Sequence, residues 1–120
     1  MAINIIGGSV SPSTALTLNA QTGTTYTFVL TDANNTLVTA SNASAQTYTI
    51  PPNSSVAYPI GSQINIIQIG AGQVSFAQGS GVTIASNGGT ASAPKLRVQY
   101  SSASAIKVNT DSWYVVGDIS

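Results

Sequence analysis

The sequence predicts an all-β chain: a single antiparallel β-sandwich of jelly-roll type over residues 15–120, preceded by an N-terminal arm, residues 1–14. Three observations predict it. Apolar and polar residues alternate with period two in short runs, which assigns one set of side chains to each face of a strand. Clusters of Gly, Pro, Asn and Asp, residues that close turns, separate the runs. No window carries the three-to-four-residue spacing of an amphipathic helix. With 120 residues, the chain has room for one core and can bury roughly two thirds of the surface exposed when unfolded.

In residues 23–31, GTTYTFVLT, the side chains of Tyr26, Phe28 and Leu30 share one face, and Thr25, Thr27 and Val29 the other. The turn residues DANN, 32–35, are expected to bring residues 36–40, TLVTA, back beside that strand. Residues 46–50, QTYTI, form the next strand. It stops at Pro51-Pro52, because proline has no amide hydrogen to give a ladder. Residues 62–70, SQINIIQIG, carry isoleucine on both faces, the mark of a central strand or of one covered by a partner. Residues 74–77 and 82–86 flank the glycine-bearing QGSG and predict a hairpin. KLRVQY, 95–100, reads as a strand with one wet face, and residues 105–109 and 112–119 complete the set. Residues 48–73, which hold three prolines, carry no charged side chain.

That lack of charge is general. Charged residues make up 5 % of the chain, against about 25 % in ordinary soluble domains. Asp32, Asp111, Asp118, Lys95, Arg97 and Lys107 sum to zero. Three scattered cations build no phosphate-neutralising patch, so nucleic acid is not an expected partner. No apolar run approaches the ~20 residues of a membrane-spanning helix, so no membrane insertion is expected. MAINIIGG lacks the basic start and long apolar stretch of a secretory signal. Histidine and cysteine are absent, which removes the usual base, the thiolate nucleophile and the thiolate metal site. The three aspartates are dispersed, whereas calcium needs clustered oxygen donors and glycosidases need facing carboxyls. The chain is therefore expected to have no catalytic residues, cofactor or metal and not to be an enzyme, with its aspartates paired to its cations. The glycine-bearing segments 70–72, 79–81 and 87–89 read as turns, since a strand and not a helix follows each. Either amides and hydroxyls solvate the surface, or copies of the chain cover it.

Exposed tyrosines on loops or outer strand faces stack on sugar rings, which makes Tyr58, Tyr100 and Tyr114 the candidate glycan contacts, against a packing role for the same rings. In the arm, Ile3, Ile5 and Ile6 are candidate capsid or intersubunit contacts, because a sheet edge accepts an extended segment as an added strand. The alternative is that the arm is an ordinary first strand.

The segments TGTTYTFVLTDAN, TIPPNSSVAYPIGSQINIIQIGAGQVSFAQGSGVTI, KLRVQYSSASAIKV and DSWYVVGDI, in that order, resemble a small β-domain of tailed-phage virion proteins. This domain occurs at the ends of tail fibres and tailspikes and as free-standing capsid decoration, or cement, proteins. The resemblance spans about residues 21–119 and is most specific in PPNSSVAYPIG and in GQVSF with GSGVTI. It implies a homotrimer on the outer capsid surface of the virion that binds the major capsid protein and stabilises the head. The alternative it implies is a receptor-binding module for host surface glycans. If Met1 is the native start, no fibre precedes the module and a cement protein is the expectation; for a domain excised from a longer protein that preference disappears.

Overall fold

The computed structural model describes residues 15–120. Nearly all of its regular structure is β, and one 3₁₀ turn is the only helical element among the described residues. The strands are β1 (Thr17–Gln21), β2 (Thr25–Thr27), β3 (Thr36–Ala40), β4 (Gln46–Ile50), β5 (Gln63–Gln68), β6 (Val74–Gln78), β7 (Thr83–Ala85), β8 (Ser102–Asn109) and β9 (Ser112–Gly117). They form a six-stranded sheet in the order β1-β3-β5-β8-β9-β7 and a three-stranded sheet in the order β2-β4-β6. The all-β expectation holds; the antiparallel jelly-roll does not.

From β1 to β6 the chain alternates between the two sheets, and each strand pairs in parallel with the strand two before it. Three stacked coils result: β1 with β2, β3 with β4, β5 with β6. Parallel neighbours need a crossover, and here each crossover is a strand of the opposite sheet. β7 runs parallel to β9 and would be the fourth rung. The antiparallel hairpin β8–β9 is inserted between it and β5. Thus β5 is central, as its two apolar faces predict.

The residues of the expected hairpins therefore take other parts. DANN closes a coil: the strand ends at Thr27, and the 3₁₀ turn Leu30–Ala33 breaks the alternation, leaving Leu30 exposed while Phe28 is buried. QGSG likewise leads from one sheet to the other. Residues 95–100 are not a strand; only Lys95 and Leu96 make bridges, to Ser75 and Ile119. Phe76 donates its amide to the Pro94 carbonyl and Leu96 to that of Val74. This short segment covers the outer edge of β6. Period-two alternation reports which way side chains face and is silent on strand direction.

Corners of successive coils stack through backbone hydrogen bonds. The amide of Ser41 donates to the Gln21 carbonyl (2.9 Å), that of Ile69 to Ala40 (2.8 Å) and that of Gly72 to Asn42 (2.8 Å). The Asn42 side chain donates to the Thr22 carbonyl at 2.8 Å, tying the first corner to the second. The approach is so close that a Cβ on Gly70 or Gly72 would run into the backbone of Asn42 or Ser44. Glycine is required there for lack of space.

One core lies between the sheets. In the small sheet Tyr26, Tyr48 and Phe76 align in register across β2, β4 and β6, and Phe28 lies 5.7 Å from Tyr48 and 6.3 Å from Phe76, centroid to centroid. From the large sheet Val38, Ile64, Ile66, Ala105, Trp113 and Val115 complete it. The first coil closes the core with polar groups. Buried Asp32 accepts from the Asn19 amide (2.8 Å), the Tyr26 hydroxyl (2.7 Å) and the Val29 backbone (2.9 Å). Its charge is met by three donors and no cation, which satisfies it without a second buried ion.

The proline-bearing loop 51–62 is a frame. Lys107, buried on β8, donates from Nζ to Asn53 Oδ1 and to the Tyr58 carbonyl, both at 2.7 Å. Asp111 Oδ1 accepts the Asn53 amide at 2.8 Å. Main-chain bonds from Gly61 to Lys107 and from Lys107 to Ser62 fasten its far end.

Two outcomes are expected. Gly72→Ala forces the stacked corners apart and costs about 3 kcal/mol in denaturant unfolding, whereas Gly89→Ala, which meets only ordinary contacts, changes stability by less than about 0.5 kcal/mol. Burial raises the Tyr26 and Tyr48 hydroxyls from 10.0 to about 12, with Asp32 adding to both shifts. The folded state then holds these protons more tightly than the unfolded chain. Their contribution is complete below pH 10 and is lost as pH rises from 10 toward 12. Urea midpoints should be level up to pH 10 and fall above it; a midpoint unchanged at pH 12 contradicts the burial.

Candidate functional site

Pairing register fixes which side chains leave the outer face of the six-stranded sheet. Val38, Ile66 and Ala103 point into the core, so their sequence neighbours point out. One outward row runs Leu18, Leu37, Asn65, Ser104, Val116. A second runs Ala20, Thr39, Ile67, Ser102, and a third Gln63, Ile106, Tyr114, Ala85. None of the three rows holds an aspartate, glutamate, lysine or arginine. Leu18 is 66 % exposed, Tyr114 53 % and Val116 52 %. Single exposed apolar side chains are ordinary, and the contiguous neutral face they share here is the candidate interaction surface.

At its centre is a small amide and hydroxyl cluster. Asn65 Oδ1 accepts from Ser104 Oγ at 2.6 Å and from Gln63 Nε2 at 2.9 Å, and the same Nε2 approaches Ser104 Oγ at 3.2 Å. The face can therefore form directional contacts as well as bury apolar surface.

The acidic and basic groups lie elsewhere. Asp32 and Lys107 are inside, and Asp111 accepts from the loop backbone. The aspartate–cation pairing expected from composition holds for Asp118 alone among the described residues. Arg97 Nε and Nη2 donate to its two oxygens at 2.8 and 3.1 Å, and Ser101 Oγ donates at 2.6 Å. The guanidinium bonds, then the serine, hold this carboxyl below its ordinary range, and the same pairing raises Arg97. Lys107 takes neutral oxygens because it points into the core under the proline loop. No group of three His, Cys, Asp or Glu suited to a metal occurs among the described residues. No helix among them is long and apolar enough to cross a membrane.

The three tyrosines do not converge. Tyr58 is buried, so the exposed-loop expectation for it is corrected: its hydroxyl donates to the Val29 carbonyl at 2.7 Å, and its ring meets Trp113 edge-on at 5.2 Å. Burial, with the Asp32 charge behind it, raises this hydroxyl far above the ordinary tyrosine value. Tyr114 stands on the outward face over a shallow groove of about 300 Å³ shared with Thr83, Asn109 and Ser112. Tyr100, 68 % exposed with φ of 69°, lies beyond the Ile67–Ser102 pair, at the opposite end of the sheet. Trp113 and Tyr114 do face opposite ways, Trp113 inward. Ile3, Ile5 and Ile6 lie outside the described residues.

A second depression, about 420 Å³, lies between the 3₁₀ turn and the proline loop, lined by Leu30, Ala33, Ala57 and Pro59 with Thr31, Asn34 and Ser62. It too is uncharged. Most of the outward face is not legible in the sequence: TLNAQ carries no strand signal of its own, and nothing local sets Leu37, Ile106 and Val116 apart as surface residues. The signal available was the second apolar face of SQINIIQIG.

Comparison with protein families, with curated proteins and with solved structures gives no match to this chain.

Removing the Tyr58 hydroxyl by Tyr58→Phe takes away one of the two donors to the Val29 carbonyl, which keeps the Asp32 amide, and should cost about 1 kcal/mol. Tyr100→Ala and Tyr114→Ala should stay within about 0.5 kcal/mol of the parent. Thermal melts compare the three; equal losses would mean that Tyr58 is not part of the frame.

Proposed function

We propose that the chain is a structural virion protein of a tailed phage, a homotrimeric capsid cement protein of sandwich-like domains that acts by binding and performs no chemistry. The observation that carries this reading is the uncharged outward face of the six-stranded sheet. A surface that water solvates through hydroxyls and amides costs less to cover than a charged one where those groups find new partners, and the apolar groups among them gain about 25 cal/mol per Å² removed from water. The resemblance of the PPNSSVAYPIG and GQVSF segments to virion β-domains supplies the setting. Stabilisation follows from mass action: a protein that binds only the assembled shell, at a hundredfold excess over its dissociation constant, favours that shell by about 2.7 kcal/mol per site.

The alternative is a receptor-binding module. The observation that favours it is the groove under Tyr114, where an exposed ring adjoins Thr83, Asn109 and Ser112, the mixture of apolar platform and hydroxyl or amide donors that sugars use.

Particles assembled without this protein separate the two. Cement function requires heads that rupture at lower temperature than decorated heads while adsorbing to cells normally, with stability restored when the purified chain is added back. Heads of unchanged stability that fail to adsorb would instead assign the protein to host recognition.

A further inference from the structure

We infer that further copies of this same chain cover the outward face of the six-stranded sheet, and that the Gln63–Asn65–Ser104 cluster fixes how the copies register. The inference rests on the homo-oligomeric reading above and names the surface through which it is built.

Three observations select a second copy as the occupant. The first is charge. The face has no acidic or basic side chain in any of its three rows. An ordinary protein surface, about a quarter charged, would set ions against it with no counter-charge, and a buried unpaired ion is expensive. Another copy brings a face that is equally neutral.

The second is hydrogen-bonding capacity. Asn65 Oδ1 is occupied by Ser104 Oγ and Gln63 Nε2. Among the described residues the Asn65 amide nitrogen and the Gln63 carbonyl oxygen make no hydrogen bond, so each copy offers a donor group beside an acceptor. In a closed ring, Asn65 Nδ2 of one copy can donate to Gln63 Oε1 of the next, and every copy is used once each way. Such head-to-tail pairing is what a cyclic oligomer requires.

The third is size. Six strands spaced ~4.8 Å apart, each rising ~3.4 Å per residue, give a slab of roughly 25 by 20 Å. With side-chain relief this is of the same order as the ~800 Å² that one partner contributes to a stable interface. The open first coil is a poorer surface for self-association, since its inner groups, Asn19, Tyr26 and Asp32, are already bonded to one another.

Light scattering on the full-length chain at micromolar concentration, for the parent, Ile67→Arg, Val116→Arg and Leu30→Arg, tests this. The parent and Leu30→Arg, whose change lies in the depression beside the proline loop, should be trimers. Ile67→Arg and Val116→Arg should be monomers with the parent's circular dichroism and Trp113 emission. Should an arginine variant lose that fold, Asn65→Ala decides, with at least a tenfold rise in the trimer's dissociation constant expected. A trimeric parent whose face variants stay trimeric overturns the face and leaves the oligomer. If those variants also stop binding heads, the face belongs to the capsid protein instead. A monomeric parent overturns both the oligomer and this assignment of its surface.

Discussion

Coil must lie on coil in parallel register, and most other features of the molecule follow from that. Each corner gives its backbone amides to the corner before it, as Ser41 does to Gln21 and Gly72 to Asn42. Backbone groups withdrawn from water must be paired, so the corners come too close for a side chain at Gly70 or Gly72. Stacking also aligns Tyr26, Tyr48 and Phe76 across one sheet and Val38 with Ile66 across the other. The aromatic core is thus a product of register as much as of hydrophobicity.

A stack of coils has two ends, and an end is an exposed apolar section unless something closes it. At the first coil closure is polar: Asn19, Tyr26 and Asp32 bond one another. At the other, the β8–β9 hairpin separates β5 from β7, and the segment around Lys95 and Leu96, bonded in turn to the C-terminal residues, covers β6. Lys107 and Asp111 bind the proline loop to the base of that hairpin. Of the six acidic and basic side chains, Asp32, Lys107 and Asp111 are committed inside or to the loop, and Arg97 with Asp118 to each other.

This use of charge leaves a broad sheet face with only apolar, hydroxyl and amide groups. The low charged fraction thereby becomes a local property with a location. Its placement suits the proposed role, in which binding and not reaction is the output, and the polar cluster at its centre supplies direction that apolar contact lacks.

Composition and alternation, by themselves, determined that the chain is β throughout, that its strands are short and that Trp113 and Tyr114 face opposite ways. These are properties of a residue and its immediate neighbours. Strand direction, the sheet to which each strand belongs and the fate of Tyr58 were decided only in three dimensions. Period two is the same in parallel and antiparallel ladders, and Asn-Asn or Gly-Ser-Gly closes a coil as readily as a hairpin. Unequal loops, a 3₁₀ turn in the first coil and twelve residues of proline loop in the second, hid the repeat that stacking makes plain. Tyr58 is buried because a lysine and a tryptophan more than forty residues away fold over its loop, and no local pattern records a contact across that distance.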